Sequence, residues 1–300
     1  MTAILETTNL TKIYGSEQAV NKVSFSLIEG TSTALIGPNG SGKTTTLSML
    51  AGLLQPTDGM ISFNGEKNAD IRKYIGFLPQ YPQFFSWMTA LEFTEMAARL
   101  SGMDSRHTKI EAQKTLEFVG LGEALRKKTG AFSGGMKQRL GLAQAIVHKP
   151  KILLLDEPVS ALDPVGRREI MNLLKSLQQN MTILYSTHIL NDAEEMTNQL
   201  LFLRKGELVE QGSLSDVKTK YDSPRYRVEF ASAQDALTFA ARSPWKVSYE
   251  EIFAFIDLDN ELPEMNAVLG YLANSGLGIR KVERQTSSLE EIFMKVAGQE

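Results

Sequence analysis

One glycine-rich segment of the chain, Gly37 to Thr44, has residue types and spacing that could bind phosphate. It reads Gly-Pro-Asn-Gly-Ser-Gly-Lys-Thr, which fits the pattern G-x-x-x-x-G-K-[ST]. The glycines let backbone N–H groups curl around phosphate oxygens without side-chain clashes, and a helix that begins at Lys43 adds its positive end. Lys43 would reach the β- and γ-phosphates of a nucleotide, and Thr44 would reach the accompanying Mg²⁺. A kinase or a GTPase would satisfy this loop equally well.

Two adjacent carboxylates, Asp156 and Glu157, follow the apolar run from Ile152 to Leu155. Such a run predicts a buried strand that ends at the acidic pair. Asp156 would hold the Mg²⁺ shell, while Glu157 would orient and polarise the attacking water for in-line displacement at the γ-phosphate. Alone, the pair could be two solvated acids at a strand end. Beside the phosphate loop, it predicts hydrolysis.

A third segment, from Phe132 to Arg139, places a serine and two glycines at the start of a predicted helix. A helix start with a hydroxyl cap is an anion site. Taken alone, a serine in the position of Ser133 is more often an ordinary N-cap, and the basic residues Lys137 and Arg139 form an ordinary solvated face. The residues of this segment therefore leave its role open.

The elements that must position these residues alternate between strands and helices. A strand from Thr31 to Ile36 precedes the phosphate loop, and a helix from Thr44 to Gly52 follows it. Two more strands, Lys151–Leu155 and Met181–Ser186, flank a helical stretch from Val165 to Gln179. This pattern predicts a parallel sheet with a right-handed strand-helix-strand unit.

Three further regions complete the predicted architecture. Alternating segments before the loop, Ile4–Leu10 and Val23–Ile28, predict an antiparallel lead-in, and residues 82–150 predict an inserted helical subdomain. We expect an α/β domain over residues 1–221 and a small α+β domain over residues 222–300. The order β-α-β-β-α-β in the second domain suggests a ferredoxin-like sandwich.

Four motifs in this order resemble the nucleotide-binding subunit of an ABC transporter. They are the phosphate loop, the Ser-Gly-Gly-Met-Lys-Gln helix from Ser133, the Leu-Asp-Glu-Pro segment from Leu155 and the Ser-Ala-Leu-Asp segment from Ser160. The resemblance covers about residues 5–220, and the serine-glycine-glycine helix separates this family from kinases and GTPases. Phe132 stands where leucine is commonest in the family and Val159 where threonine is common, but neither departure touches a phosphate ligand. The resemblance implies a P-loop ATPase that uses ATP and Mg²⁺.

The resemblance assigns roles to three more residues. Tyr14 would stack on the adenine ring, although it could be a core-edge tyrosine in a turn. Gln80 would sense the metal and the γ-phosphate at the hinge to the helical subdomain, with Gln83 close enough in sequence to compete for that placement. His188 would contact the γ-phosphate, although a lone histidine is more often structural.

The resemblance also implies that Ser133 and Gly135 face the nucleotide of a second copy, so ATP would be sandwiched between two chains placed head to tail, with Asp163 at the same junction. The second chain would be another copy or a related ATPase. The predicted nucleotide-binding residues are Tyr14, Gly37, Pro38, Asn39, Gly40, Ser41, Gly42, Lys43, Thr44, Thr45, Ser133 and Gly135. The predicted metal ligands are Thr44, Gln80 and Asp156. The predicted catalytic residues are Lys43, Gln80, Glu157 and His188.

The segment Gln80–Leu91 is rich in large apolar residues, among them Phe84, Phe85, Trp87 and Met88. Exposed, it would be a docking surface for a separate membrane permease, as the resemblance implies; buried, it would be subdomain core. The end of the chain resembles the C-terminal extension of drug, antibiotic and ion exporters through the segment Ser288–Phe293. That extension favours export, and dimer bracing or regulation are its expected uses.

Composition limits the other possibilities. The 32 basic and 35 acidic residues nearly balance, so the chain has no basic field for nucleic acid, and it has no cysteine for disulfides or thiolate chemistry. No apolar run approaches the roughly 18 residues that cross a bilayer. We expect a cytoplasmic chain, peripheral on the inner face of the cell membrane. The alternatives are a non-transport ATP switch that acts on ribosomes or DNA repair machinery, and a cassette that binds ATP without turnover.

Overall fold

The computed structural model describes residues 2–67, 71–160, 162–258 and 263–298. The chain divides into two compact units, residues 1–214 and 215–300. The division lies at the start of the helix Leu214–Tyr221, whereas the boundary expected from the sequence lies at the end of that helix. Among the described residues, no helix is both long enough and apolar enough to cross a bilayer.

The first unit combines two sheets with helices. Its strands are β1 (Ala3–Tyr14), β2 (Glu17–Ile28), β3 (Ser32–Ile36), β4 (Asp58–Phe63), β5 (Glu66–Lys67), β6 (Ile75–Leu78), β7 (Ile152–Asp156), β8 (Thr182–Thr187), β9 (Gln199–Arg204) and β10 (Glu207–Ser213). Its helices are α1 (Lys43–Leu50), α2 (Ala90–Leu100), α3 (Ser105–Phe118), α4 (Gly134–Ile146), α5 (Pro164–Leu177) and α6 (Leu190–Met196). Helix α7 (Leu214–Tyr221) follows at the division between the units.

The larger sheet carries the elements that hold the predicted site. Its strand order is β10-β9-β3-β8-β7-β6, with parallel pairing from β9 to β6 and an antiparallel edge at β10. Every residue of β3, β7 and β8 is buried, as expected for the central strands of a parallel sheet covered on both faces. The loops after β3, β6, β7 and β8 therefore leave the same edge of the sheet, which is where ligands bind in open α/β sheets.

The antiparallel lead-in is longer than predicted. Its order is β2-β1-β4-β5, and β1 and β2 pair over their whole lengths, up to Tyr14 and Glu17 at the turn. Several register shifts interrupt that pairing. Such irregularities break the strict alternation on which the prediction of Ile4–Leu10 and Val23–Ile28 relied.

Residues 82–150 contain helices α2, α3 and α4. They are close to the helical stretches that apolar spacing predicts at Ala90–Ser101, His107–Val119 and Gly134–His148. Side-chain caps define their starts. Thr89 and Glu92 form a reciprocal capping box at α2, and Asp104 accepts a hydrogen bond from the Arg106 amide, so α3 begins slightly before the predicted His107. Ser133 caps α4.

The second unit is a four-stranded antiparallel sheet with helices. Its strands are β11 (Arg225–Phe230), β12 (Val247–Glu250), β13 (Phe253–Asp257) and β14 (Ile279–Gln285), and its helices are α8 (Ala233–Arg242), α9 (Met265–Ala273) and α10 (Leu289–Gly298). The strand order β12-β13-β11-β14, with helices after the first and third strands, is the predicted ferredoxin-like arrangement. The buried residues of α8 and α9 form one apolar core with those of β11 and β13.

Candidate active site

The loop between β3 and α1 has a shape that only glycine permits at two positions. A Cβ on Gly37 would lie 2.2 Å from the Leu203 carbonyl oxygen, and one on Gly42 would lie 2.5 Å from the Ala19 carbonyl oxygen. Gly42 also has a φ of +101° at the start of α1. By contrast, a Cβ on Gly40 would meet nothing within 4 Å, so this side of the loop faces open space. The loop is thus held against strands on one side and is open on the other.

The Ser41 hydroxyl marks the loop as a binding site. Its oxygen is buried and finds no hydrogen-bond partner among the described residues. A buried polar group without a partner costs about 1–3 kcal/mol, so its presence is expected where a ligand supplies the missing bond. Together with the glycine cradle and the amide groups at the start of α1, it fits a bound phosphate.

The Lys43 side chain is buried and turned towards its own loop. Its Nζ donates hydrogen bonds to the carbonyl oxygens of Gly37 at 2.8 Å and Pro38 at 3.1 Å. It also lies 3.7 Å from Glu157 Oε1. Burial lowers the pKa of Lys43 below its ordinary value, and the carboxylates of Glu157 and Asp156 oppose that shift. A phosphate would add negative charge beside this ammonium and favour its charged form.

The Glu157 carboxylate is a meeting point of three segments. Its Oε2 accepts a hydrogen bond from Gln80 Nε2 at 3.2 Å and lies 3.1 Å from His188 Nδ1, while its Oε1 faces Lys43. Its backbone has a φ of +46°, a left-handed conformation that is costly for a residue with a side chain. Such strain is characteristic of functional positions, because the surrounding structure must enforce it.

Asp156, the neighbouring acid, is held by a hydroxyl from the next strand. Asp156 and Ser186 are opposite each other in the β7–β8 register. Ser186 Oγ donates to Asp156 Oδ1 at 2.6 Å and accepts the backbone N–H of Glu157 at 2.9 Å. Ser186 is fully buried, so this one hydroxyl positions both acids. Sequence reasoning placed Ser186 only at the end of a predicted strand, because its contact with the acids depends on a strand register that a single sequence does not reveal.

A cavity of about 770 Å³ joins most of the predicted residues. Tyr14, with 48% of its surface exposed, lies at this cavity and offers an aromatic face. The predicted residues that line the cavity are Tyr14, Asn39, Gly40, Gly42, Lys43, Thr44, Thr45, Gln80, Glu157 and His188. The lining residues that sequence reasoning missed are Glu17, Ala19, Tyr81 and Ser160. The predicted residues outside the lining are Gly37, Pro38, Ser41, Ser133, Gly135 and Asp156.

Ser133 and Gly135 lie apart from this cavity, at the exposed start of α4. Ser133 Oγ accepts the Met136 amide at 3.3 Å, and a Cβ on Gly134 would meet nothing within 4 Å. Asp163 is exposed in the same way at the start of α5, where its Oδ1 accepts the Gly166 amide at 3.2 Å. The structure therefore brings the loop, acidic pair, glutamine and histidine together within one chain, and leaves these two helix starts facing outward.

The apolar residues near Gln80 are divided between surface and core. Tyr81 and Trp87 are 67% and 68% exposed. Phe84 instead packs edge-on against Phe93 of α2 with ring centroids 5.0 Å apart, and Phe85 contacts both Phe93 and Trp87. The inner rings anchor the segment to α2, and the outer ones form an apolar surface.

Comparison with known proteins gives a consistent result for both units. The family model described as ABC transporter matches residues 20–160. A second model, the C-terminal domain of DrrA1-3-like ATP-binding proteins, matches residues 212–297. The chain is therefore similar to two families whose models lie in the order of its two units.

Individual relatives match almost end to end. The uncharacterized ABC transporter ATP-binding protein YxlF of Bacillus subtilis (strain 168) is 44% identical over 98% of this chain and 99% of its own length. The bacitracin transport ATP-binding protein BcrA of Bacillus licheniformis is 34% identical over 99% of this chain and 98% of its own. Among solved structures, the dimeric ATP-binding cassette MJ0796, in a post-hydrolysis state with ADP and Pi, has a TM-score of 0.65 and 30% identity over 70% of this chain and 98% of its own.

Proposed function

This chain belongs to the ATP-binding subunits of ABC transporters and is an ATPase, and from that premise we propose that two chains close around ATP to drive a separate membrane permease. The observation that carries the proposal is the convergence of Lys43, Gln80 and His188 on the Glu157 carboxylate. A phosphate loop, an acid beside it and a histidine from the next strand end are the parts that in-line hydrolysis needs.

Within one chain, the loop binds the phosphates of ATP and Tyr14 stacks on the adenine. Lys43 exchanges its contact with Glu157 for phosphate oxygens, which frees that carboxylate to accept a proton from the attacking water. His188 Nδ1 lies 3.1 Å from the same carboxylate, and the imidazole contacts and orients the γ-phosphate. Gln80 connects this site to the helical subdomain, because it follows β6 and precedes the apolar segment of residues 81–91.

Thr44, Gln80 and Asp156 would hold Mg²⁺. A hydroxyl, an amide and a carboxylate are oxygen donors of the kind this metal prefers, and Asp156 is buried with its orientation held by Ser186. Mg²⁺ is commonly bound through one or two protein oxygens together with substrate phosphates and water. When bound, Mg²⁺ neutralises charge on the phosphate oxygens.

The second half of the site comes from another chain, a copy or a related ATPase. Ser133 and Gly135 face outward from the start of α4 and do not line the cavity of their own chain. We assign them, with Asp163, to the nucleotide of the partner. The dimeric MJ0796 structure supports this assignment as the assembly of a related cassette.

The permease docks on the apolar surface of residues 80–91, where Tyr81 and Trp87 expose two-thirds of their area. Docking there places the chain at the inner face of the cell membrane. Because the second unit matches the DrrA-like C-terminal family, and BcrA serves bacitracin transport, we propose that the permease is an exporter.

Mixing two inactive variants tests the shared site. Ser133→Arg blocks the surface given to the partner, and Lys43→Ala removes the ammonium that holds phosphate. Each variant alone should be inactive, whereas an equal mixture should contain heterodimers with one intact site. By random pairing, the mixture recovers about a quarter of the wild-type sites. ATP hydrolysis by the mixture, compared with each variant alone, is the measurement, and no recovery would contradict a site shared between chains.

A further inference from the structure

The second unit contains a cleft that plays no part in ATP hydrolysis. It has a volume of about 580 Å³ and lies along helices α8 and α9, with Thr238 and Arg242 on one side and Ala267 and Gly270 on the other. Trp245, in the segment after α8, also lines the cleft. Sites for small organic ligands have volumes of about 300–1,000 Å³, so the cleft is large enough to hold one.

Aromatic rings form a rigid wall of the cleft. Tyr271 packs against Trp245 with ring centroids 5.4 Å apart and against the buried Phe239 at 6.0 Å, both edge-to-face. The Tyr271 hydroxyl donates a hydrogen bond to the Arg242 carbonyl oxygen at 2.7 Å, which ties α9 to the end of α8. A wall held in this way needs little reorganisation when a flat apolar molecule packs on it.

Gly270 opens the cleft from the side of α9. It lies within the helix, where glycine is a poor helix former, and a Cβ at this position would meet nothing within 4 Å. No neighbouring group therefore requires the glycine for close packing. Ala267, Gly270, Tyr271 and Asn274 share one face of α9, so the two small residues leave room beside the aromatic wall.

Charge selects the class of ligand. Among the described lining residues, Arg242 is the one charged side chain, and it forms no ion pair within the described part of this unit. Its guanidinium can bind a carboxylate, sulfonate or phosphate through paired hydrogen bonds. The hydroxyls of Thr238 and Ser275 already donate to backbone carbonyls, so they add little further selection.

We propose that the α8–α9 cleft of the second unit binds a small organic anion with a flat apolar body, which packs on Trp245 and Tyr271 and pairs with Arg242. Such a ligand would be a second small-molecule site of this chain, separate in sequence and in structural unit from the ATP site. The proposal does not depend on how the ATP site works.

Isothermal titration calorimetry on the full chain tests the proposal, with 2-naphthoate as the probe and saturating ADP and Mg²⁺ present to occupy the other anion site. We expect saturable binding of one probe per chain. Neutral 2-naphthylmethanol should bind about tenfold more weakly, because it lacks the charge that pairs with Arg242.

Matched variants locate the probe. Gly270→Leu fills the cleft with a good helix former and should weaken binding at least about tenfold, whereas Ala273→Leu, on an exposed part of the same helix, should not. Arg242→Gln should remove the preference for naphthoate over the alcohol, whereas Lys246→Gln should keep it. Circular dichroism melting checks that each variant folds.

Three results would overturn the proposal: no saturable heat, unchanged binding in folded Gly270→Leu, or equal affinity for the acid and the alcohol. If Gly270→Leu does not fold, the comparison of naphthoate and alcohol binding by Arg242→Gln tests the proposal, since this substitution changes only an exposed side chain. Retention of the preference for naphthoate in that variant would overturn the proposal.

Discussion

The Glu157 carboxylate contacts side chains from the phosphate loop, from the end of β6 and from the end of β8. The carboxylate lies 3.7 Å from Lys43 Nζ and offsets the charge of that buried ammonium. We propose that a bound phosphate takes over the contact with Lys43 and releases Glu157 towards the attacking water. Binding and hydrolysis should therefore be separable at this residue.

Glu157→Gln should leave ATP binding intact and reduce turnover by about 100-fold or more, because the amide keeps the shape of the side chain but cannot accept the proton of water. The trapped ATP should hold two chains together. Turnover and sedimentation in ATP measure the two effects, and Glu123→Gln, an exposed acid outside the cavity, is the control. Near-normal turnover would show that the base lies elsewhere.

Ser186 positions the acids without touching the cavity itself, so its removal should act through them. Ser186→Ala should lower turnover about tenfold and raise the Mg²⁺ concentration needed for half-maximal rate, because Asp156 loses its partner and the Glu157 amide its acceptor. Ser186→Thr retains the hydroxyl and should recover much of the rate. Thr187→Val, which changes the adjacent buried hydroxyl, should not shift the Mg²⁺ dependence. An unshifted Mg²⁺ dependence in Ser186→Ala would limit its role to stability.

At the scale of elements, an ion pair joins the two helices that follow Asp163 and His188. Helix α5 begins after Asp163, and α6 begins shortly after His188. Arg167 of α5 contacts Asp192 of α6, with Nε 3.1 Å from Oδ1, and Asp192 is nearly buried with its second oxygen unpartnered among the described residues. The pair couples the helix at the expected dimer junction to the segment that carries His188.

Arg167→Met should destabilise the first unit by about 3 kcal/mol, because it leaves a buried carboxylate without its cation. The double variant Arg167→Met, Asp192→Leu should recover most of that loss, since both charges are then absent. Urea unfolding of the two single variants and the double variant measures the coupling. Strictly additive losses would show that the two side chains do not stabilise each other.

The sequence predicted best those elements whose local pattern and burial agree. The run at β7 is apolar because it is buried on both faces. The loop before α1 is recognisable in the sequence because it needs glycines at Gly37 and Gly42, where a Cβ would clash. Strand β4 was missed because half of its residues are exposed and it carries little apolar pattern. The lining role of Glu17 and Ser160 was missed for a different reason, since it depends on how distant loops meet.

At the scale of the molecule, the two units differ in whether they contain residues assigned to the nucleotide. The first contains every residue assigned to ATP, and the second contains none of them. We propose that the ferredoxin-like unit acts in assembly or regulation. Met294 on its last helix is an exposed apolar side chain, with 66% of its surface accessible.

Ending the chain at Leu214, where the contacts divide, should test bracing of the dimer by the second unit. The shortened chain should still bind ATP, because the phosphate loop and its supporting strands lie before the division. Its ATP-dependent dimer, measured by sedimentation in the Glu157→Gln background, should be weaker by about tenfold, the loss expected from about 1.4 kcal/mol of contacts.

A second chain ended at Tyr221 keeps α7 and separates the effect of that helix from that of the sheet. If both shortened chains hydrolyse ATP and self-associate as the full chain does, the second unit does not brace the dimer, and regulation through its own surface becomes its function.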